Sequence, residues 1–122
     1  MKHDQPRLED YLAHIDQAIE RIKFYTAGMT EADFLEDLKG QDAVIRNLEI
    51  VGEASRKIET LHPAFAAEHP SLPLRQAYRM RNFLAHGYFA VNLPVVWQTI
   101  HEQLPGLQEQ VQNVAAKLKQ QP

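Results

Sequence analysis

Apolar residues recur at steps of three and four along almost the whole chain, and this spacing predicts helices throughout. The first apolar stripe predicts an amphipathic helix from about Arg7 to Ala27, which Gly28 ends. Thr30 followed by Asp33 resembles a capping box and predicts a short second helix, which Gly40 ends.

The middle of the chain predicts two longer helices. The first runs from about Asp42 to Leu61 and contains Gly52, which costs about 1 kcal/mol relative to alanine inside a helix. We expect this glycine to mark a helix crossing at which two backbones approach closely. A proline-containing loop of roughly ten residues, with a helical turn near Phe65, then leads to a helix from about Leu72 to Ala85.

The last segment begins with Asn92 as a predicted N-cap and Pro94 in the first turn. Its apolar stripe keeps the same register on both sides of Pro105, so we predict one kinked helix. No strand-like alternation or internal repeat is present. The fold prediction is a single all-α domain over residues 1–122, an up-down bundle of four to five helices that completes its core by dimerising.

Composition narrows the classes of protein that fit. The 122 residues include no cysteine, which excludes disulfides, thiol nucleophiles and zinc–thiolate sites and fits the reducing cytosol. No apolar run approaches the roughly 20 residues that span a bilayer. The first residues lead straight into an amphipathic segment and not into an apolar signal core, so we expect no signal peptide. We therefore expect a cytoplasmic protein without a membrane partner.

The net charge of −3 argues against coating of a nucleic-acid duplex, but the charge is unevenly distributed. Arg75, Arg79 and Arg81 fall within seven residues, and no Asp or Glu occurs between Glu68 and Glu102. This purely basic stretch is suited to binding one or a few phosphates at a local site.

The same stretch contains Arg81, His86 and Tyr88 in the pattern R-x4-H-x-Y. On a straight helix Arg81 and His86 are five positions and about 140° apart, so they do not share a face. Two explanations would let them meet: the helix unwinds before His86, with Gly87 as its C-cap, or the site is composite across a twofold dimer. We expect both together, with Asn82 on the face that carries His86.

An arginine and a histidine suffice for one kind of phosphodiester chemistry. A histidine at a helix C-terminus is stabilised in its charged form and can move protons near neutral pH, while an arginine holds a phosphate through two hydrogen bonds. RNA supplies its own nucleophile, the 2′-hydroxyl, so neither a protein nucleophile nor a metal is required. The six histidines show no H-x3-H pairing, and we predict no catalytic metal and no cofactor.

A structural interpretation of the same residues stays open. An arginine and a histidine near a helix end are often an ion-pair partner and a cap. Arg46 and Glu49 are spaced as an i,i+3 ion pair, for which we expect a structural role. In an alternative interpretation, Glu53 reaches Arg81 and orients its guanidinium.

The chain resembles the HepT-like family of the HEPN superfamily. The resemblance rests on the block from Arg81 to Tyr88, on the block from Arg46 to Ala54, and on a C-terminal region containing Trp97. It implies an all-helical, dimeric, metal-independent ribonuclease toxin whose antitoxin is a minimal nucleotidyltransferase of the MntA type.

By the same resemblance Arg81 and His86 are catalytic. We assign supporting roles to Asn82 and Arg79. Tyr88 matches the tyrosine to which the antitoxin attaches AMP, and the added phosphate would repel RNA from the site.

Two other classes of function remain possible at this point. In one, Arg81 and His86 bind nucleotide phosphate in a non-catalytic subunit of a nucleotidyltransferase. In the other, the chain is a dimeric assembly module in which both residues are dispensable.

Overall fold

A computed structural model describes residues 7–86 and 92–120, with the backbone alone described for residues 82–86. These ranges contain helices and no strand, which confirms the all-α prediction. The helices are α1 (Leu8–Thr26), α2 (Glu31–Leu35), α3 (Leu38–Leu61), α4 (Pro63–Glu68), α5 (Leu74–His86), α6 (Leu93–Glu102) and α7 (Leu104–Gln120). None of them is both long enough and apolar enough to cross a membrane.

Local signals explain where the first two helices begin and end. Gly28 follows α1 with φ at 78°, a left-handed conformation that favours glycine, so the predicted stop is confirmed. Thr30 and Asp33 form the predicted capping box: the Thr30 hydroxyl accepts from the Asp33 amide at 3.1 Å, and the Asp33 carboxylate accepts from the Thr30 amide at 2.9 Å.

The prediction that Gly40 ends α2 is wrong, because Asp37 starts the next helix before that glycine is reached. The Asp37 carboxylate accepts a hydrogen bond from the Gly40 amide at 2.9 Å and so caps α3. A Cβ on Gly40 would lie 2.6 Å from the same carboxylate, so the absence of a side chain leaves room for the cap.

The C-terminal segment forms two helices, where a single kinked helix was predicted. Asn92 caps α6 as predicted, with its side-chain oxygen accepting from the Val95 amide at 3.2 Å. Gln103 separates α6 from α7. Pro105 cannot donate to the carbonyl of His101, which removes the hydrogen bond that would continue the helix. This break, and the formation of α4 where only a helical turn near Phe65 was predicted, raise the number of described helices to seven, above the predicted four to five.

Helix α3 is the centre of the fold, because its most extensive contacts are with both α1 and α5. Helix α7 packs along α1, and α6 contacts α2 and α7. The core confirms the predicted stripes of α1 and α3 almost completely; its fully buried side chains include Leu12, Ile15, Ile19, Val44, Leu48, Val51 and Ile58. Leu61, at the end of the α3 stripe, is an exception and is 44% exposed.

Candidate functional site

The site is built on the crossing of α3 and α5, where Gly52 meets the backbone turn that carries Arg81. A Cβ placed on Gly52 would collide with the Cβ of Arg81, and would lie 2.8 Å from its Cγ and 3.0 Å from the carbonyl oxygen of Ala77. Only glycine allows the two helices to come this close, so the predicted role of Gly52 is confirmed. The close approach brings the base of the Arg81 side chain against α3.

A carboxylate from α3 then holds the other end of that side chain. The Nη2 of Arg81 lies 3.6 Å from the Oε1 of Glu53, the residue next to Gly52. The Arg81 side chain is 32% exposed, so it is partly buried but still accessible to solvent. The contact that the sequence suggested between these two residues is therefore present.

Further polar contacts fix α5 against α3 nearer the start of α5. The Nε of Arg75 lies 3.6 Å from a carboxylate oxygen of Glu59, and the Arg56 guanidinium lies 5.0 Å from the centre of the Tyr78 ring. Two arginines of the basic stretch thus pair with carboxylates of α3, whereas Arg79 is exposed on the surface.

The other predicted site residues lie at or beyond the edge of the described structure. Helix α5 continues through His86, so the prediction that it unwinds before His86 is wrong. The positions of Arg81 and His86 therefore remain about 140° apart around one helix axis. The side chains of Asn82 and His86, and all of Gly87 and Tyr88, lie outside the described residues.

Arg81 and Glu53 border a groove of about 610 Å³ between α1 and α5, with α3 as its floor. The groove is also lined by Tyr11 and His14 of α1 and by Lys57 of α3. Its volume lies within the range of small-molecule and cofactor pockets.

The charges of this groove differ from those of the whole chain. Three of its described residues are cationic, Arg46, Lys57 and Arg81, and two are anionic, Glu49 and Glu53. The groove therefore carries +1 with histidine neutral, whereas the chain carries −3. Within the described part of the chain, no group of three or more His, Asp or Glu side chains is arranged to hold a metal ion.

The spacing of charged residues indicates the α3 floor of this groove, whereas no sequence pattern indicates the wall that α1 forms. Arg46, Glu49, Glu53 and Lys57 follow one another at steps of three, four and four, so their spacing alone places them on one face of α3. The predicted Arg46–Glu49 ion pair is present, at 4.0 Å. His14 carries no such signal, because its position beside α3 depends on how α1 packs.

Taken together, the fold and the site define an all-α protein whose partly buried, ion-paired arginine faces a polar groove suited to an anionic ligand. The family model described as "Ribonuclease HepT-like" matches residues 15–114. The chain belongs to this family, and the resemblance to the HepT-like family is confirmed.

Curated relatives agree with this assignment. A protein of Thermococcus cleftensis named "Probable ribonuclease HepT" is 46% identical over 99 residues, which cover 81% of this chain and 87% of the relative. A protein of Caldanaerobacter subterraneus subsp. tengcongensis named "Putative RNase TTE0752" is 36% identical over 119 residues, which cover 98% of this chain and all of the relative. No solved structure matches the chain at a significant level.

Proposed function

We propose that this protein is an endoribonuclease that cleaves RNA without a metal ion, and that Arg81 and His86 are its catalytic residues. The observation that carries the proposal is the seating of Arg81: its base packs against Gly52, and its guanidinium is held by Glu53 at the border of a polar groove. The ribonuclease names of the relatives support the choice of RNA as the substrate.

The reaction is a transesterification within the RNA. The 2′-hydroxyl loses its proton and its oxygen forms a bond to the adjacent phosphorus, while the bond from phosphorus to the 5′-oxygen breaks. The products are a 2′,3′-cyclic phosphate and a 5′-hydroxyl. Arg81 stabilises the charge that develops on the phosphorane, and His86 transfers the protons.

The proposed active unit is a homodimer with α5 at its interface. Because α5 stays helical through His86, Arg81 and His86 occupy different sides of one helix. In a twofold dimer, Arg81 of one subunit can share a cleft with His86 of the partner subunit. The exposed Arg79 and the neighbouring Asn82 are proposed to support the phosphate at this cleft.

We also propose that the ribonuclease acts as a toxin and that a minimal nucleotidyltransferase of the MntA type neutralises it. The nucleotidyltransferase would transfer AMP from ATP to the hydroxyl of Tyr88, with pyrophosphate as the leaving group. Tyr88 is two residues beyond His86, so the added phosphate would place negative charge beside the RNA-binding groups.

The test is cleavage of a labelled tRNA pool in EDTA by the parent protein and by His86→Ala, after intact mass shows Tyr88 unmodified. We expect the parent to leave 2′,3′-cyclic phosphate ends and the variant to be slower by roughly 10²- to 10⁴-fold. Equal cleavage by both proteins would remove His86 from the mechanism. No cleavage by the unmodified parent would instead support a non-catalytic subunit of a nucleotidyltransferase.

A further inference from the structure

The groove continues along α3 beyond Arg81, and this extension contains a lysine that forms no ion pair with any carboxylate of the described residues. Lys57 lies four residues after Glu53, which is about 6 Å further along the axis of α3 on the same face. The Lys57 side chain is exposed and lines the groove. No carboxylate in the described part of the chain lies within 4.0 Å of its amine.

The two carboxylates of the groove are already engaged elsewhere. Glu49 lies 4.0 Å from Arg46, and Glu53 lies 3.6 Å from Arg81. Arg46 and Arg81 are each paired with one of these carboxylates, so the net charge of +1 in the groove comes from Lys57. Lys57 is therefore placed to bind an anion from outside the protein.

An aromatic pair from α1, Tyr11 and His14, lines the same groove as this lysine. Tyr11 is 7% exposed, and its ring meets the His14 ring edge-on, with centroids 6.0 Å apart and planes at 89°. Tyr11 makes a second edge contact with the ring of His62, whose centroid lies 6.4 Å away. Because Tyr11 is buried and His14 is exposed, the imidazole of His14 is the ring surface that the groove presents to a ligand.

A phosphate-binding lysine beside an exposed ring is a combination that single-stranded nucleic acid recognises. A phosphate of the nucleic-acid backbone binds the lysine, and a base stacks on the ring. We propose that Lys57 and His14 form a second nucleotide subsite, in which Lys57 binds a phosphate next to the scissile one and His14 stacks on the adjoining base. This inference rests on the proposed function, since it takes RNA as the ligand of the groove.

Binding to an RNA that cannot be cleaved tests the subsite independently of catalysis. We would measure the Kd of a fluorescent single-stranded 2′-O-methyl RNA oligonucleotide by anisotropy across a KCl series. The proteins are the parent, Lys57→Ala, His14→Ala and the control Lys117→Ala. Lys117 is exposed on α7 and lies outside the groove. Its replacement by alanine changes the net charge of the protein by the same amount as Lys57→Ala.

The two subsite residues have different expected signatures. Lys57→Ala should raise the Kd roughly three- to tenfold and reduce the slope of log Kd against log [KCl] by about 0.7, the value for one phosphate contact to a single strand. His14→Ala should raise the Kd roughly fivefold or more with the slope unchanged, because a stacking contact releases no counterions.

The inference is overturned if Lys57→Ala matches Lys117→Ala in both affinity and salt slope, or if the parent does not bind the oligonucleotide. Failure of the proposed function looks different. In that case the oligonucleotide binds and Lys57→Ala weakens it, while the unmodified parent leaves ordinary RNA uncleaved.

Discussion

Helix α3 makes two very different contacts, one with α1 and one with α5. Towards α1 the packing uses large aliphatic side chains that are fully buried, among them Leu12, Ile15 and Ile19. Towards α5 it uses a glycine, two ion pairs and an arginine placed over a tyrosine ring. The first contact excludes water, whereas the second brings charged groups together at the edge of a groove.

The difference shows how one helix can serve both stability and function. Aliphatic burial supplies free energy without orienting any polar group. At Gly52 there is no side chain to bury, and the backbones of α3 and α5 approach closely instead. This close approach puts Arg81 within reach of Glu53. Substitutions on the α1 side should therefore change stability most, and substitutions on the α5 side should change activity most.

The largest effect on stability is expected from Leu12→Ala on the α1 side. Leu12 has no exposed surface, and truncation of a buried leucine typically costs about 2–5 kcal/mol because a cavity remains. Urea unfolding followed by circular dichroism would measure the loss. A change below about 1 kcal/mol would show that this contact contributes less to stability than its burial indicates.

A smaller loss of stability is expected from Gly52→Ala at the α5 crossing. The new Cβ collides with Arg81, and overpacking costs about 1–3 kcal/mol, while helix propensity returns about 1 kcal/mol. We expect a net loss of stability of about 0–2 kcal/mol. We also expect a clear loss of RNA cleavage, because the new Cβ displaces Arg81.

Gly106→Ala is the matched control for that prediction. A Cβ on Gly106 meets nothing within 4 Å, so this variant should be as stable as the parent or up to about 1 kcal/mol more stable. If Gly52→Ala behaved like Gly106→Ala, the close crossing would have no energetic importance.

The smallest effect on stability is expected from Glu53→Gln, because a half-exposed ion pair contributes roughly 0–1 kcal/mol. Its effect should appear in catalysis. Without the carboxylate the guanidinium is less well oriented, so kcat should fall roughly tenfold, while KM stays the same or decreases because no carboxylate competes with the RNA phosphate.

Glu59→Gln provides the control, since Glu59 pairs with Arg75 at the same 3.6 Å and does not line the groove. Steady-state kinetics on one RNA substrate would compare the two variants. A fall in kcat of the same size in both variants would show that Glu53 has only a general structural role and does not orient Arg81 for catalysis.

Much of the fold could be predicted because local signals agreed with the apolar pattern. The bounds of α1 followed from its stripe and from Gly28, and the close crossing followed from an unfavourable glycine kept inside a helix. The errors came from competing local signals. Asp37 caps α3 before the chain reaches Gly40, so Gly40 does not end α2. Pro105 lacks an amide hydrogen, so the helix breaks although the apolar spacing is continuous across this position.

The site could be predicted only in part from the sequence. Arg81 was singled out by the R-x4-H-x-Y pattern, and its contact with Glu53, which was offered as an alternative to a purely structural role for these residues, is present in the structure. The contribution of His14 could not be expected, because it depends on the packing of α1 against α3. The unwinding before His86 was expected because Gly87 can end a helix, yet α5 continues through His86.

The most direct test of the whole account is the rate of RNA cleavage in EDTA by Arg81→Lys, with Arg21→Lys as the control. Lysine keeps the charge but cannot form the two parallel hydrogen bonds of a guanidinium, and Arg21 is exposed on α1 outside the groove. We expect Arg81→Lys to fold normally and to cleave roughly 10²- to 10³-fold more slowly than the parent, with Arg21→Lys unchanged. Cleavage by Arg81→Lys within about twofold of the parent would contradict the central claim that this arginine stabilises the transition state.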